Sequence, residues 1–186
     1  MTFVGHSLVG VSAAVVGMPP FMSVRRWALA VNIFILLSYL PDMPLPPWGH
    51  ANYFVSHSLF VNGLLMIACF IVWLTVTNAR RWVSPRLFAA GIAAWGSHFL
   101  LDAFYKGPDG VAVFWPFSDA VLNLPIPWFD YFIPSLGVFH AHNLMVFGIE
   151  AVAYLPILFM AVTVRLILRG MRFRFCMSCG KFEARN

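Results

Sequence analysis

Trp95-Gly96-Ser97-His98-Phe99-Leu100-Leu101-Asp102-Ala103-Phe104-Tyr105 is the stretch on which the reading of this chain turns. The segment leading into it from Leu87 is almost wholly apolar, so a helix there is buried in protein or lipid and has no use for charge. His98 and Asp102 nevertheless stand in it, four residues apart. On a helix that spacing stacks the two side chains on one face, where an imidazole nitrogen and a carboxylate oxygen can reach one cation. The same pair can instead lock two helices together through a buried hydrogen bond, and by itself it does not decide between these roles.

Composition sets the class. With 61% hydrophobic residues and 10% charged ones, the chain has too little polar surface for a soluble globule. The mean hydropathy of +0.80 agrees. The expected fold is an all-α integral membrane bundle of about five helices, each of roughly 20 residues, with one long extracytoplasmic loop. Residues 1–170 form this single unit and 171–186 a short basic cytoplasmic tail. Nineteen Phe and seven Trp suit lipid-facing surfaces and interfacial belts. Three cysteines give no disulfide framework, and Cys176-x-x-Cys179 is half of a zinc knuckle without a second pair.

Outward from the central stretch, the spacing predicts five helices. The first covers Phe3 to Met18, is stopped by Pro19-Pro20, and has no basic residue before it, so it reads as a retained helix rather than a cleaved signal. The second runs from Trp27 to Leu40 and ends at Pro41-Asp42. The third is expected from Phe54 to Thr77, and the fourth from Pro85 to Tyr105. Residues 106–139, rich in Pro, Trp, Phe and Asp, are too irregular to span lipid and long enough to shape a site. The fifth helix runs from His140 to Arg169 and carries His142 and Glu150 near its start.

If direction alternates at each helix, the charges separate. Eleven of the twelve basic residues, Arg25, Arg26, Arg80, Arg81, Arg86 and those from Arg165 onward, fall at one face. Six of the seven acids and all six histidines fall at or near the other. The positive-inside rule makes the basic face of this multi-pass protein cytoplasmic and the His and Asp face extracytoplasmic. The basic residues set topology and contact anionic lipid. Lipid bilayer is thus an expected partner and nucleic acid is not.

This arrangement gathers His6, Asp42, His57, His98 and Asp102 at one end of the bundle, with His142 and Glu150 nearby. Ionisable groups at membrane depth are costly unless paired, hydrated or bound to an ion. Imidazoles and carboxylates from separate elements suit Zn²⁺, Mn²⁺ or Fe²⁺, with one to three ions, zinc first. All seven residues are candidate ligands, and Asp42 is the candidate catalytic base.

The ordered set His6-Ser7-Leu8, Leu40-Pro41-Asp42, His57-Ser58-Leu59, Ser97-His98-x-x-x-Asp102 and Phe114-Trp115-Pro116-Phe117-Ser118 resembles the membrane-bound metal-dependent hydrolase family, the YdjM-like inner-membrane proteins. The resemblance covers residue 5 to about 120. It implies a helical inner-membrane protein with a metal centre and hydrolase activity on an unassigned substrate. Where members often carry a second acid after Leu-Pro-Asp, this chain has Met43-Pro44. The Arg of their His-Arg-Gly-x-Thr-His-Ser pattern is missing from His50 to Ser58.

The expected activity is therefore metal-dependent hydrolysis of a phosphoester or other ester, a small molecule or a lipid head group, at the extracytoplasmic face. Lys106 is the one basic residue expected on that side to meet a phosphate. Two other functions use the same residues: a metal or proton transporter or channel, and a non-catalytic membrane subunit.

Overall fold

Side chains that satisfy free backbone groups decide where the helices start. A computed structural model describes residues 2–19, 22–105, 110–124 and 129–178. Helix α1 (Phe3–Gly17) begins where the Thr2 hydroxyl accepts the Val4 amide hydrogen. Helix α2 (Val24–Ser38) gives way to a single 3-10 turn, Leu40–Asp42, because Pro41 has no N–H to continue the ladder. A second such turn, Gly49–Asn52, leads into the short α3 (Tyr53–Ser56), then α4 (Leu59–Thr75) and α5 (Thr77–Trp82). Helix α6 (Pro85–Asp102) opens with Ser84 accepting the Leu87 amide hydrogen and Pro85 at its first position. Strands β1 (Val111–Ala112) and β2 (Val121–Leu122) pair antiparallel, and α7 (Ala141–Ser178) continues through Pro156.

The described residues are thus mostly helical, with one two-stranded ribbon in the long connection. The expected third helix is broken. Asn62, fully buried, donates from its amide nitrogen to the carbonyls of Ser56 and Ser58, both at 2.8 Å. The Ser58 hydroxyl accepts from the Val61 amide and donates to the Trp115 carbonyl. These bonds divert the backbone for one turn and set His57 in the gap between α3 and α4. Helix α7 also runs past residue 170, to Ser178. Lys106, Asp109 and Cys179 lie outside the described residues, as do the side chains of His50 and Cys176.

Helix α1 is central, packing against α7, α2 and α6. Ala14, Met18, Phe34 and Ala94 form the buried apolar layer among α1, α2 and α6. Trp95 joins α6 to α4 by donating to the Asn62 side-chain oxygen at 3.0 Å. Among the described residues one helix, over Ala141–Arg169, is long and apolar enough to cross a membrane; Phe3–Gly17 and Leu59–Thr75 are apolar but shorter. At about 1.5 Å per residue these two measure roughly 22 and 26 Å, against a hydrocarbon core of about 30 Å. Leu64, Ile67, Ile71 and Val72 of α4 and Val152, Phe159, Met160 and Leu166 of α7 are all exposed.

Gly10 lets α1 and α2 cross closely. A Cβ there would lie 2.9 Å from the Phe34 carbonyl oxygen, the Ile35 Cα and the Ser38 hydroxyl. Backbone cannot yield to it as a flexible side chain would, so Gly10→Ala should force the helices apart. We expect a loss of about 1–3 kcal/mol of stability, read as a lower thermal midpoint of the detergent-solubilised protein. An unchanged midpoint would show that the crossing has slack.

Candidate metal centre

Four elements each deliver a polar side chain to one end of the bundle. The first turn of α1 supplies His6, the turn after α2 supplies Asp42, and the break before α4 supplies His57. The last turn of α6 supplies both His98 and Asp102, on one face as the spacing predicts. All are buried: His6 and His98 are 0% exposed, His57 1%, and both carboxylates 8%.

The Nε2 atoms and carboxylate oxygens face one another. His57 Nε2 lies 3.1 Å from Asp42 Oδ1 and 3.3 Å from His98 Nε2. His98 Nε2 is 3.1 Å from Asp102 Oδ2 and 3.9 Å from Asp42 Oδ1, and His57 Nε2 is 3.7 Å from Asp102 Oδ2. His6 Nε2 stands 3.7 Å from both Asp42 Oδ2 and Asp102 Oδ1. Ligands held about 2.0–2.1 Å from a first-row ion are separated by roughly 3.0 Å at a right angle, 3.4 Å at the tetrahedral angle and up to 4.2 Å across it. The observed separations all fall in that range.

Neighbours fix which way the rings present their lone pairs. His98 Nδ1 is 3.0 Å from the Ser38 carbonyl oxygen, which only accepts, so Nδ1 carries the proton. His57 Nδ1 is 2.8 Å from the Ser56 hydroxyl, whose own hydrogen has the Gly49 carbonyl at 3.1 Å and the Tyr53 carbonyl at 3.3 Å to meet. The Nε2 atoms of both rings therefore face each other and the carboxylates. Such a gathering of acceptors is repulsive unless protons or a cation stand among them, and one divalent ion balances both carboxylates.

His6 adds an independent sign. Among the described residues neither of its ring nitrogens has a hydrogen-bond partner, although the side chain is fully buried. An unmet buried polar group costs about 1–3 kcal/mol, and a bound ion removes that cost at Nε2. His6, His98 and Asp102 form one group, and Asp42, His57 and His98 another, whose ligand atoms lie mutually within 4.8 Å. The residues present can hold a metal ion.

The structure does not bring the two remaining candidates into the group. His142 points its Nε2 at the Tyr131 carbonyl, 3.1 Å away, at the surface. Glu150 is fully buried but already occupied. One oxygen accepts the Thr2 amide hydrogen at 3.0 Å and the Tyr105 hydroxyl at 2.7 Å, while the other accepts the Gly5 amide at 2.9 Å and the Thr2 hydroxyl. Glu150 thus anchors the start of α1, one residue from His6.

Several contributors carry no signal in the sequence. The Ser38 hydroxyl donates to the His6 carbonyl at 2.8 Å while its own carbonyl orients His98. Tyr53 stacks on His57 at 3.9 Å between ring centroids. Tyr39 stands edge-on to His6 at 5.1 Å.

Asn62 fixes the His57 turn from outside the cluster, so Asn62→Ala should cost about 1–3 kcal/mol and weaken metal retention by about tenfold or more. Titration with a competing chelator checks this; retention equal to the parent would show that the turn holds without the amide. Neither family models nor curated proteins nor solved structures yield a match to this chain.

Proposed function

We propose that this chain is a membrane-embedded, metal-dependent hydrolase of the inner membrane that cleaves a phosphoester or other ester, in particular a lipid head group, at the extracytoplasmic face. The observation that carries this reading is the meeting of three buried imidazoles and two carboxylates at 3.1–3.9 Å, with their lone pairs turned inward. A site of His and Asp without thiolates is of the kind that keeps a position open for water or substrate. Zinc is the ion it suits best. Bound there, zinc lowers the pKa of water to about 7 and polarises a phosphoryl or carbonyl oxygen.

The chain's own residues have distinct parts in this chemistry. His6, His57 and His98 would supply imidazole nitrogens to the metal centre, and Asp102 a carboxylate from the same face as His98. Asp42 sits on a short turn rather than within a long helix and presents its second oxygen toward His6. We assign it the acceptance of the water proton. The Tyr39 ring stands edge-on to His6 at the border of the group.

Support for the membrane setting is physical. Broad apolar surface is exposed on α4 and α7, which water would not tolerate over such an area. Arg165 binds the Val15, Met18 and Pro19 carbonyls at the end of α1 opposite the cluster. Basic and metal-ligating groups are thus separated along the bundle, and the positive-inside rule turns the cluster outward. The resemblance to membrane-bound metal-dependent hydrolases points the same way. Passage of ions or protons would need polar groups between the two ends, whereas Ala14, Met18, Phe34 and Ala94 fill that layer.

The test is hydrolysis by the detergent-purified chain, with phospholipid vesicles and a chromogenic phosphodiester as substrates. Chelation should abolish turnover and zinc restore it. Asp42→Asn should lower turnover by about a hundredfold or more, while His98→Ala and Asp102→Ala should also lose bound metal. Metal content at the parent level in both of the latter variants would overturn the site, and turnover indifferent to chelator would overturn the mechanism.

A further inference from the structure

We infer that the cluster is a two-ion centre: His6 serves one divalent cation, His57 and His98 serve a second, and the carboxylates of Asp42 and Asp102 bridge them. This rests on the metal reading above and adds the number of ions and the division of the ligands.

The ring pair His6 and His98 carries the argument. The two imidazoles are stacked, with centroids 4.2 Å apart and planes inclined by only 7°. An imidazole nitrogen binds a metal along its lone pair, which lies in the ring plane, at roughly 2.0–2.1 Å. Two rings that share an ion must therefore have planes that meet at it. Stacked parallel rings have planes that do not meet there, so an ion placed well for one ring lies off the plane of the other. His57 differs: its ring is inclined by 55° to His98 at 5.2 Å, and the two Nε2 atoms are 3.3 Å apart. That pair can converge on one ion at close to the tetrahedral angle.

The carboxylates divide in the same way. Asp42 sends Oδ2 toward His6 and Oδ1 toward His57 and His98. Asp102 sends Oδ1 toward His6 and Oδ2 toward His98 and His57. Each acid thus offers one oxygen to either side, as a bridging carboxylate does. The 4.2 Å between the stacked ring centroids lies just above the spacing of paired ions in two-metal hydrolytic sites, roughly 3.5–4 Å. His6, with both ring nitrogens otherwise lacking a hydrogen-bond partner among the described residues, then has an ion of its own to meet. With one imidazole and two bridging oxygens, its ion has the smaller protein ligand set and more room for substrate oxygen.

Manganese is the ion for the test, because it prefers nitrogen and oxygen ligands and avoids the thiols of the C-terminal segment. The full chain, purified in detergent and loaded with Mn²⁺, should bind two ions per chain by elemental analysis and give the exchange-coupled spin-resonance spectrum of a close pair. His6→Ala should retain one ion and change to the six-line spectrum of isolated Mn²⁺. One ion per parent chain, or two with uncoupled spectra, overturns the paired centre and leaves a metal site standing. No bound ion in the parent chain overturns the metal reading as well. The parent measurement decides the matter even if His6→Ala does not fold.

Discussion

Two carboxylates held out of water must be balanced, and much of this structure follows from how the chain does so. Asp42 and Asp102 each have a side chain 8% exposed and face three imidazoles. Protons or a cation must stand among so many acceptors, and the ring nitrogens that face the acids are the Nε2 atoms. The surrounding residues make sense as means of keeping it so. The Ser38 carbonyl takes the His98 proton, the Ser56 hydroxyl takes that of His57, and Asn62 ties down the turn that carries Ser56 and His57. Each bond fixes the ring so that its other nitrogen, Nε2, faces the carboxylates.

Helix α1 is held to the same purpose from both ends. Glu150 caps its start and Arg165 its finish, and both belong to α7, which runs parallel to it. The fifteen residues from Glu150 to Arg165 rise about 22 Å, as do the fifteen of α1. An acid at the positive end of a helix dipole and a base at the negative end both stabilise it, and both satisfy backbone groups that a short helix leaves open. His6 lies in the first turn so anchored. Its position is therefore set by α7, although α7 contributes no residue to the cluster among those described.

Some of this was legible in the sequence and some could not be. His98 and Asp102 announce themselves because a spacing of four on a helix has one geometric meaning. His6, Asp42 and His57 follow once the helices alternate, since Pro41 and the apolar runs fix which end each occupies. Glu150 is a different matter. A carboxylate that accepts backbone N–H bonds from a distant helix start leaves no spacing to read, so it looks like a ligand until Thr2 and Gly5 are seen beside it. His142 was grouped with Glu150 across eight residues, but eight residues overshoot two turns by about 80°, and the ring meets the Tyr131 carbonyl instead. The break at His57 depends on Asn62, a polar residue that propensity alone would leave inside a helix. Membrane crossing by five helices was read from composition, yet four of the five longest are between fifteen and eighteen residues.

Those short helices bear on how a substrate would arrive. In the proposed membrane setting, a helix of about 22–27 Å would not fill a core of about 30 Å, and its polar end would lie beneath the lipid surface unless the bilayer thinned or the connections covered it. Here the connections do part of that work. Strand β1 bridges to Ser58 through Ala112, with Val111 and Ala112 both buried, and the Ser58 hydroxyl holds the Trp115 carbonyl. Beyond this anchored stretch the ribbon turns outward, and Phe114, Phe117, Val121 and Leu122 are exposed, with Phe117 edge-on to Phe60 of α4 at 5.1 Å. The residue after His57 is therefore tied to a segment whose inner residues are buried and whose outer residues are apolar and exposed. On the proposed reading, an ester head group reaching such a site would bring its acyl chains past apolar side chains rather than through water, which is why a lipid is the substrate class the surroundings favour.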